Sequence, residues 1–195
     1  MMTPGGWWWL LFSATVTLIV AGLLWWAVWA YRRVRTRRAL MARFSAISVD
    51  LLQDVLLPDG AGGWFHVDFL LALVQGLLVI DLRDRAGLIY GSEQMTEWTV
   101  MDRHKRSTFP NPLESLYDRL AVVKQLAGEG VLVQGRVVFT SKGHFPKGHP
   151  DLVVALERLA DQFPARDPAA TMSDRQAEVW AQIRAVASAS PLKRR

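Results

Sequence analysis

The first pattern along the chain is an apolar run, because no charged residue occurs between positions 7 and 31. This run exceeds the roughly 20 apolar residues that a helix needs to cross about 30 Å of hydrocarbon. Tryptophans stand at both of its ends, as in the aromatic belts of membrane interfaces. Five arginines follow between residues 32 and 38. The pattern predicts an anchor at 1–38 that crosses the inner (cytoplasmic) membrane once, with the N-terminus outside and the remaining domain in the cytoplasm.

After this segment the apolar spacing changes from element to element. Residues 39–57 place apolar side chains at intervals of three and four, which predicts a helix that ends at Pro58. The short apolar runs 64–73 and 77–82 predict a hairpin of two central strands, and 88–90 and 97–101 predict further strands. Residues 102–112 are polar and contain two prolines, so we expect an exposed loop there.

The second half of the chain predicts helices that cover a sheet. Asn111 and Pro112 have the residue types of a helix cap and a first helical position, and leucines recur at helical spacing after them. Residues 131–140 predict another strand, and 151–163 and 173–187 predict two final helices. The alternation predicts an α/β fold, with a mixed central sheet flanked by helices and preceded by the transmembrane helix. We expect the domain to cover 39–165, followed by a C-terminal helix and basic tail at 166–195.

The net charge of +5 is concentrated at the two ends of the chain. Nine of the 23 lysines and arginines lie at 32–43 and 193–195, whereas all 18 acidic residues lie between these segments. Arginines beside a membrane interact with anionic lipid at roughly 1 kcal/mol each. A lipid bilayer therefore explains the basic composition, and the charge alone does not indicate DNA or RNA. Within the domain, Arg103, Lys105 and Arg106 form the compact basic patch that would contact nucleic acid.

Two acidic residues interrupt the apolar strands, and they are the candidate chemistry of this sequence. Strand alternation places Asp81 and Arg83 on one face. If Gln75 and Gly76 are the central turn residues, Asp68 faces Arg83 and lies diagonal to Asp81. Any register with the same parity keeps the three on one face, whereas a three-residue loop would send Asp68 to the opposite side.

This arrangement has two interpretations. Asp68 and Asp81 would be the ligands of a Mg²⁺ (or Mn²⁺) ion that is placed against a phosphate, with Arg83 as a third catalytic residue. Alternatively, Asp81 and Arg83 form a buried ion pair that fixes the register of the strands.

Residues 63–150 resemble the nuclease-related domain (NERD) family, a branch of the PD-(D/E)xK nuclease-like superfamily. The resemblance lies in the order and spacing of short motifs, namely HVD at 66–68, VIDLR at 79–83, AGLIYG at 86–91, Trp98, FPNPL at 109–113 and VLVQGRVVFT at 131–140. It implies a restriction-endonuclease-like sheet and Mg²⁺-dependent hydrolysis of nucleic acid by Asp68, Asp81 and Arg83.

Several positions depart from the family pattern. Arg83 occupies the lysine position, Asp81 replaces a glutamate and Ser115 replaces a glutamine, and the family's upstream glutamate-bearing helix has no counterpart. Arginine stays charged and is bulky, so it does not substitute for a lysine with a tunable charge. We therefore keep two function hypotheses, a metal-dependent nuclease and a catalytically inactive nuclease-like binding or scaffold module at the cytoplasmic membrane face. A lipid-surface sensor is a third hypothesis.

Overall fold

The computed structural model describes residues 6–60, 62–103 and 105–189. The chain divides into two compact units, Met1–Arg43 and Phe44–Arg195. A long helix, α1 (Gly6–Ile47), includes nearly all of the first unit. Of the five arginines predicted beside the membrane, the side chains of Arg32, Arg33, Arg35 and Arg37 lie outside what the structure describes. Within the described residues, no helix combines the length and apolar character that a membrane crossing requires, so the predicted transmembrane span is not supported.

Over its described residues, the second unit contains the end of α1, ten strands, three further helices and one turn of 3₁₀ helix. In chain order these are β1 (Asp50–Pro58), β2 (Trp64–Leu73), β3 (Gly76–Arg83), β4 (Gly87–Tyr90), β5 (Glu97–Asp102), β6 (Lys105–Pro110), α2 (Pro112–Ala127), β7 (Val133–Phe139), β8 (Gly143–His144), β9 (Val153–Ala155), a 3₁₀ turn (Leu156–Arg158), α3 (Leu159–Gln162), α4 (Asp174–Val186) and β10 (Ser188–Ala189).

These strands form two mixed sheets. The larger sheet has the order β10-β1-β2-β3-β7-β9, in which β7 runs parallel to both β3 and β9 and the other neighbours are antiparallel. The smaller sheet has the order β6-β5-β4-β8, in which β4 and β8 are parallel. The predicted mixed α/β architecture is confirmed, although the strands are divided between two sheets.

Helix α2 covers one face of the larger sheet. Asn111 caps it by accepting the backbone N–H of Leu113, and Pro112 is its first residue, as predicted. Its buried leucines lie directly on β7, because a Cβ atom built on Gly135 would stand 2.9–3.0 Å from the methyl groups of Leu116 and Leu120. Glycine at position 135 therefore allows the close approach of helix and sheet.

Three predicted elements were wrong. The helix predicted over 39–57 ends at Ile47, and its second half is strand β1, which pairs with β2 on both sides of Asp54. The predicted loop 102–112 contains strand β6, and the predicted helix 151–163 contains β9, the 3₁₀ turn and the four-residue α3. In each case a strand completes a sheet, so long-range pairing outweighs the local spacing of apolar residues.

Candidate active site

The turn between β2 and β3 decides which polar side chains meet. Leu73 pairs with Gly76, so the turn residues are Val74 and Gln75 instead of the predicted Gln75 and Gly76. The register continues to Phe69 opposite Ile80, and one further step brings Asp68 opposite Asp81. The predicted pairing of Asp68 with Arg83 was wrong by two positions. The parity was right, and the two carboxylates come together on one face.

Asp81 is the buried centre of the site, with only 1% of its surface exposed. Its Oδ2 atom accepts hydrogen bonds from Arg83 Nη2 at 2.7 Å, Arg119 Nη1 at 3.0 Å and Ser115 Oγ at 3.0 Å. Arg83 Nη2 also donates to Ser115 Oγ at 3.0 Å. One carboxylate oxygen is thus held by three donors, two of them guanidinium groups, and its negative charge is more than balanced.

Arg119 is a site residue that the sequence reasoning missed. It lies one helical turn after Ser115 on α2, so both side chains reach Asp81 from the same face of the helix. Its Nε atom donates to the carbonyl of His66, and its Nη1 atom also donates to the carbonyl of Ser115. A polar pair at i and i+4 beside the buried leucine stripe was the available signal.

Asp68 stands in a different environment from Asp81. Its Oδ2 atom accepts the backbone N–H of Leu82 at 2.9 Å, and its Oδ1 atom lies 3.7 Å from Nδ1 of His66. Burial raises the pKa of the Asp68 carboxyl, and the charge of Asp81 acts in the same direction, while the Leu82 N–H and His66 oppose them. The charge of Asp81 is therefore balanced by two arginines, whereas burial and the nearby Asp81 disfavour the charged form of Asp68.

Asp54, which the sequence reasoning placed in a helix, extends this group of acids onto a third strand. The pairs Gln53 with Phe69 and Val55 with Val67 flank it, which places it opposite Asp68. Its φ angle of 57° is in the left-handed region, which aspartate tolerates better than most residues. His66 Nε2 lies 2.7 Å from Asp54 Oδ1, so this imidazole stands between the carboxylates of Asp54 and Asp68.

The divalent ion implied by the family resemblance does not fit this arrangement. Mg²⁺ requires several oxygen ligands in near-octahedral geometry. Asp81 Oδ2 is already occupied by three donors, and its nearest charged neighbours are two cations that would repel a metal. Over the part of the chain that the structure covers, no group of three or more His, Cys, Asp and Glu side chains is placed to hold a metal. The geometry corresponds to the buried ion pair, extended by Arg119.

A cavity of about 290 Å³ adjoins this cluster. Arg83 and Ser115 form part of its wall, together with Arg85, Phe109, Pro110, Asn111, Glu114 and Asp118. The Arg85 guanidinium lies 5.1 Å from the centre of the Phe109 ring. The Nε atom of Arg83 is buried without a hydrogen-bond partner among the described residues, so this guanidinium is held only through its Nη2 end.

The predicted basic patch lies at the end of the hairpin β5–β6. Asp102 pairs with Lys105, and Arg103, which follows Asp102, has a φ angle of 53°. Arg103, Lys105 and Arg106 are all exposed. Strand β6 leads from this basic turn to Phe109 and Pro110 in the cavity wall. Lys105 and Arg106 of the patch therefore belong to a strand that runs to the candidate site.

The chain resembles known proteins at the level of a family. An uncharacterized protein of Bacillus anthracis is 25% identical to the chain over 89 residues, which are 46% of this chain and 42% of the relative. The chain thus spans less than half the length of that relative. No solved structure matches the chain significantly. The nuclease-related domain, NERD, matches residues 32–140, more than half of the sequence, and the chain therefore belongs to the NERD family.

Proposed function

We propose that this protein is a nuclease-related module that binds nucleic acid without hydrolysing it. The observation that carries the proposal is the arrangement around Asp81, whose Oδ2 atom accepts three hydrogen bonds from Arg83, Arg119 and Ser115. In the family motif this acid would face a metal, whereas here it faces two cations. Its role is to hold β3 and α2 together.

The energetics favour this role over metal binding. Asp81 is almost fully buried, and removing the partners of a buried charge typically costs about 3–5 kcal/mol. A divalent ion at Asp81 would stand beside the two guanidinium groups that hold Oδ2 and would be repelled by them, and displacing them would incur that cost. On the adjacent strand β2 it would meet Asp68, which the Leu82 N–H already holds.

Strand β6 is the surface that we assign to the nucleic acid. It is an edge of the smaller sheet, and Lys105, Arg106, Ser107 and Thr108 are exposed along it. Lysine, arginine and hydroxyl side chains are the groups that contact phosphates and sugars without reading the base sequence. We therefore expect weak binding that depends on salt and requires no metal.

The test uses the purified full-length chain with labelled single-stranded RNA and double-stranded DNA. In EDTA, binding should persist, and neither Mg²⁺ nor Mn²⁺ should produce cleavage. The double variant Lys105→Gln/Arg106→Gln should bind more weakly and with a shallower dependence on salt, because two phosphate contacts are lost. Arg175→Gln is the matched control, since Arg175 is an exposed arginine on α4 with only a 3.9 Å ion pair to Glu178. Asp68→Ala should retain affinity.

Magnesium-dependent hydrolysis by Asp68, Asp81 and Arg83 is the second candidate function. The observation in its favour is the register that brings the two carboxylates together. It requires a metal ion to bind Asp81 beside the two guanidinium groups that hold its Oδ2 atom. Cleavage that depends on Mg²⁺ or Mn²⁺ and disappears in Asp81→Ala would establish this function and refute binding without hydrolysis.

We also propose, from the sequence alone, that the domain acts at the cytoplasmic face of the inner membrane. The support is the apolar run at 7–31 followed by five arginines. After cell fractionation, the full chain should remain in the membrane pellet in high salt and in alkaline carbonate. Release by salt would replace insertion with electrostatic attachment, and recovery in the soluble fraction would refute both.

A further inference from the structure

A second cavity, of about 300 Å³, lies at the opposite end of strand β3 from Asp81. Its walls come from the starts of β3 and β7 and from residues 162–166. Gly135 of β7 faces α2, so its neighbours Gln134 and Arg136 extend from the other face of the sheet. The cavity therefore lies at the other end of β3 from the candidate active site and on the other face of the sheet.

Two arginines line this cavity, and the protein holds both through neutral acceptors. Arg136 donates from Nε to Gln162 Oε1 at 2.7 Å and from Nη1 to the carbonyl of Gly135 at 2.7 Å. Arg166 donates from Nε to the carbonyl of Ser48 at 2.8 Å, and from Nη1 to the carbonyls of Asp167 and Pro168. Within the described residues, neither guanidinium has a carboxylate within 4 Å, and the Nη2 atoms have no protein acceptor.

The positive charge of the cavity is therefore not balanced by its own wall. The lining contains no aspartate or glutamate among the described residues. Burial lowers the pKa of the Arg136 guanidinium, and only the more distant charge of Asp151 opposes this. By contrast, Arg83, Arg119 and Arg184 each bond directly to a carboxylate. A partly buried cation without a counterion gains most from an anion that enters the cavity.

The other lining residues limit which chemical groups can be attached to this anion. Gln75, Gln134 and Gln162 offer amide groups that both donate and accept hydrogen bonds. Leu132 contributes exposed apolar surface, and the Phe163 ring lies 5.3 Å from the Arg136 guanidinium. The volume lies at the lower end of the range for small-molecule sites.

We propose that this cavity binds a small organic phosphate of the nucleoside monophosphate class. The guanidinium groups of Arg136 and Arg166 hold the phosphate through their Nη2 atoms, while the glutamine amides bond to the polar edge of the attached base or sugar. The proposal does not depend on nucleic-acid binding along β6, because the two surfaces share no residue.

Isothermal titration calorimetry on the full-length chain tests this site with three kinds of probe. These are the four ribonucleoside monophosphates, the corresponding nucleosides and inorganic phosphate. We expect at least one monophosphate to bind at least tenfold more tightly than its nucleoside and than phosphate alone. Equal affinity for nucleoside and monophosphate, or no saturable binding of any monophosphate at millimolar concentration, overturns the proposal.

Variants assign the binding to this cavity. Gln134→Glu changes the charge of the wall with little change in side-chain size, and it should weaken binding at least tenfold. Arg136→Lys keeps the charge but loses the planar fork that matches a phosphate, so a loss of about fivefold to tenfold is expected. Arg175→Gln, outside the cavity, should bind as the unmodified chain does. Thermal unfolding checks that each variant is folded, and unchanged affinity in both folded cavity variants refutes the site.

Discussion

Replacing Asp81 with asparagine distinguishes a structural ion cluster from a vacant metal site by the sign of its effect on stability. Asparagine has nearly the same size as aspartate but removes the negative charge that Arg83 and Arg119 share. In the ion cluster, both guanidinium groups lose their counterion and the protein is destabilised. In a vacant metal site, the same change would relieve repulsion between Asp68 and Asp81, and the protein would become more stable.

The expected magnitude follows from burial. Removing one partner of a buried ion pair costs about 3–5 kcal/mol. Asp81 is 1% exposed and Arg119 is 16% exposed, whereas Arg83, at 32%, regains part of its hydration. The net loss should therefore be about 3–5 kcal/mol and not the sum of two such penalties. For a domain of this size that corresponds to a fall of about 6–20 °C in Tm.

The assay is urea unfolding of the full-length chain in EDTA, followed by circular dichroism. Asp84→Asn is the matched control, because Asp84 forms a 2.8 Å ion pair with Lys142 but its side chain is 56% exposed. An exposed pair of this kind contributes about 0–1 kcal/mol. Equal losses of unfolding free energy in the two variants, or greater stability of Asp81→Asn, would refute a structural role for Asp81.

Three further changes have defined outcomes. Asp68→Asn should stabilise the domain at pH 7, because burial raises the pKa of this carboxyl in the folded state and disfavours its charged form above that pKa. This gain in stability should vanish as the pH falls to the pKa of the unfolded state. Urea unfolding of the variant and the unmodified chain at pH 7 and at pH 4 measures the gain and its loss. Arg119→Leu should cost about 2–4 kcal/mol in urea unfolding, because it removes bonds to Asp81 and to two carbonyls, and a loss below 1 kcal/mol would contradict that. Gly135→Ala should cost about 1–3 kcal/mol by thermal unfolding, since its Cβ overlaps leucine methyl groups of α2, and an unchanged Tm would exclude tight packing there.

Much of the site could be predicted from the sequence because it depends on local patterns. The strand β2 has the predicted bounds Trp64–Leu73, and the period of two placed Asp68 and Asp81 on one face. The turn was misplaced by one residue, because Gly76 indicated a central turn position whereas it begins β3 and pairs with Leu73. The register nevertheless has the predicted parity, so Asp68 and Asp81 lie on the same face of the sheet.

The parts of the site that the sequence did not predict depend on contacts between segments that are distant in the chain. The sequence around Asp54 has helical spacing, and only its pairing with β2 makes it a strand and brings Asp54 to His66. Arg119 is 38 residues from Asp81, and the polar spacing of Ser115 and Arg119 on α2 does not indicate which distant residue they meet. The choice between a metal pair and an ion pair required this second arginine, which is why the sequence left both interpretations open.

The convergence of three donors on one oxygen of Asp81 also limits what a single substitution at this site can change. Lysine at position 83 would leave Arg119 bound to the acid, and removing Arg119 alone would leave a destabilised domain. Freeing Asp81 from both guanidinium groups therefore requires coordinated substitutions on β3 and α2, and each single step passes through a less stable protein.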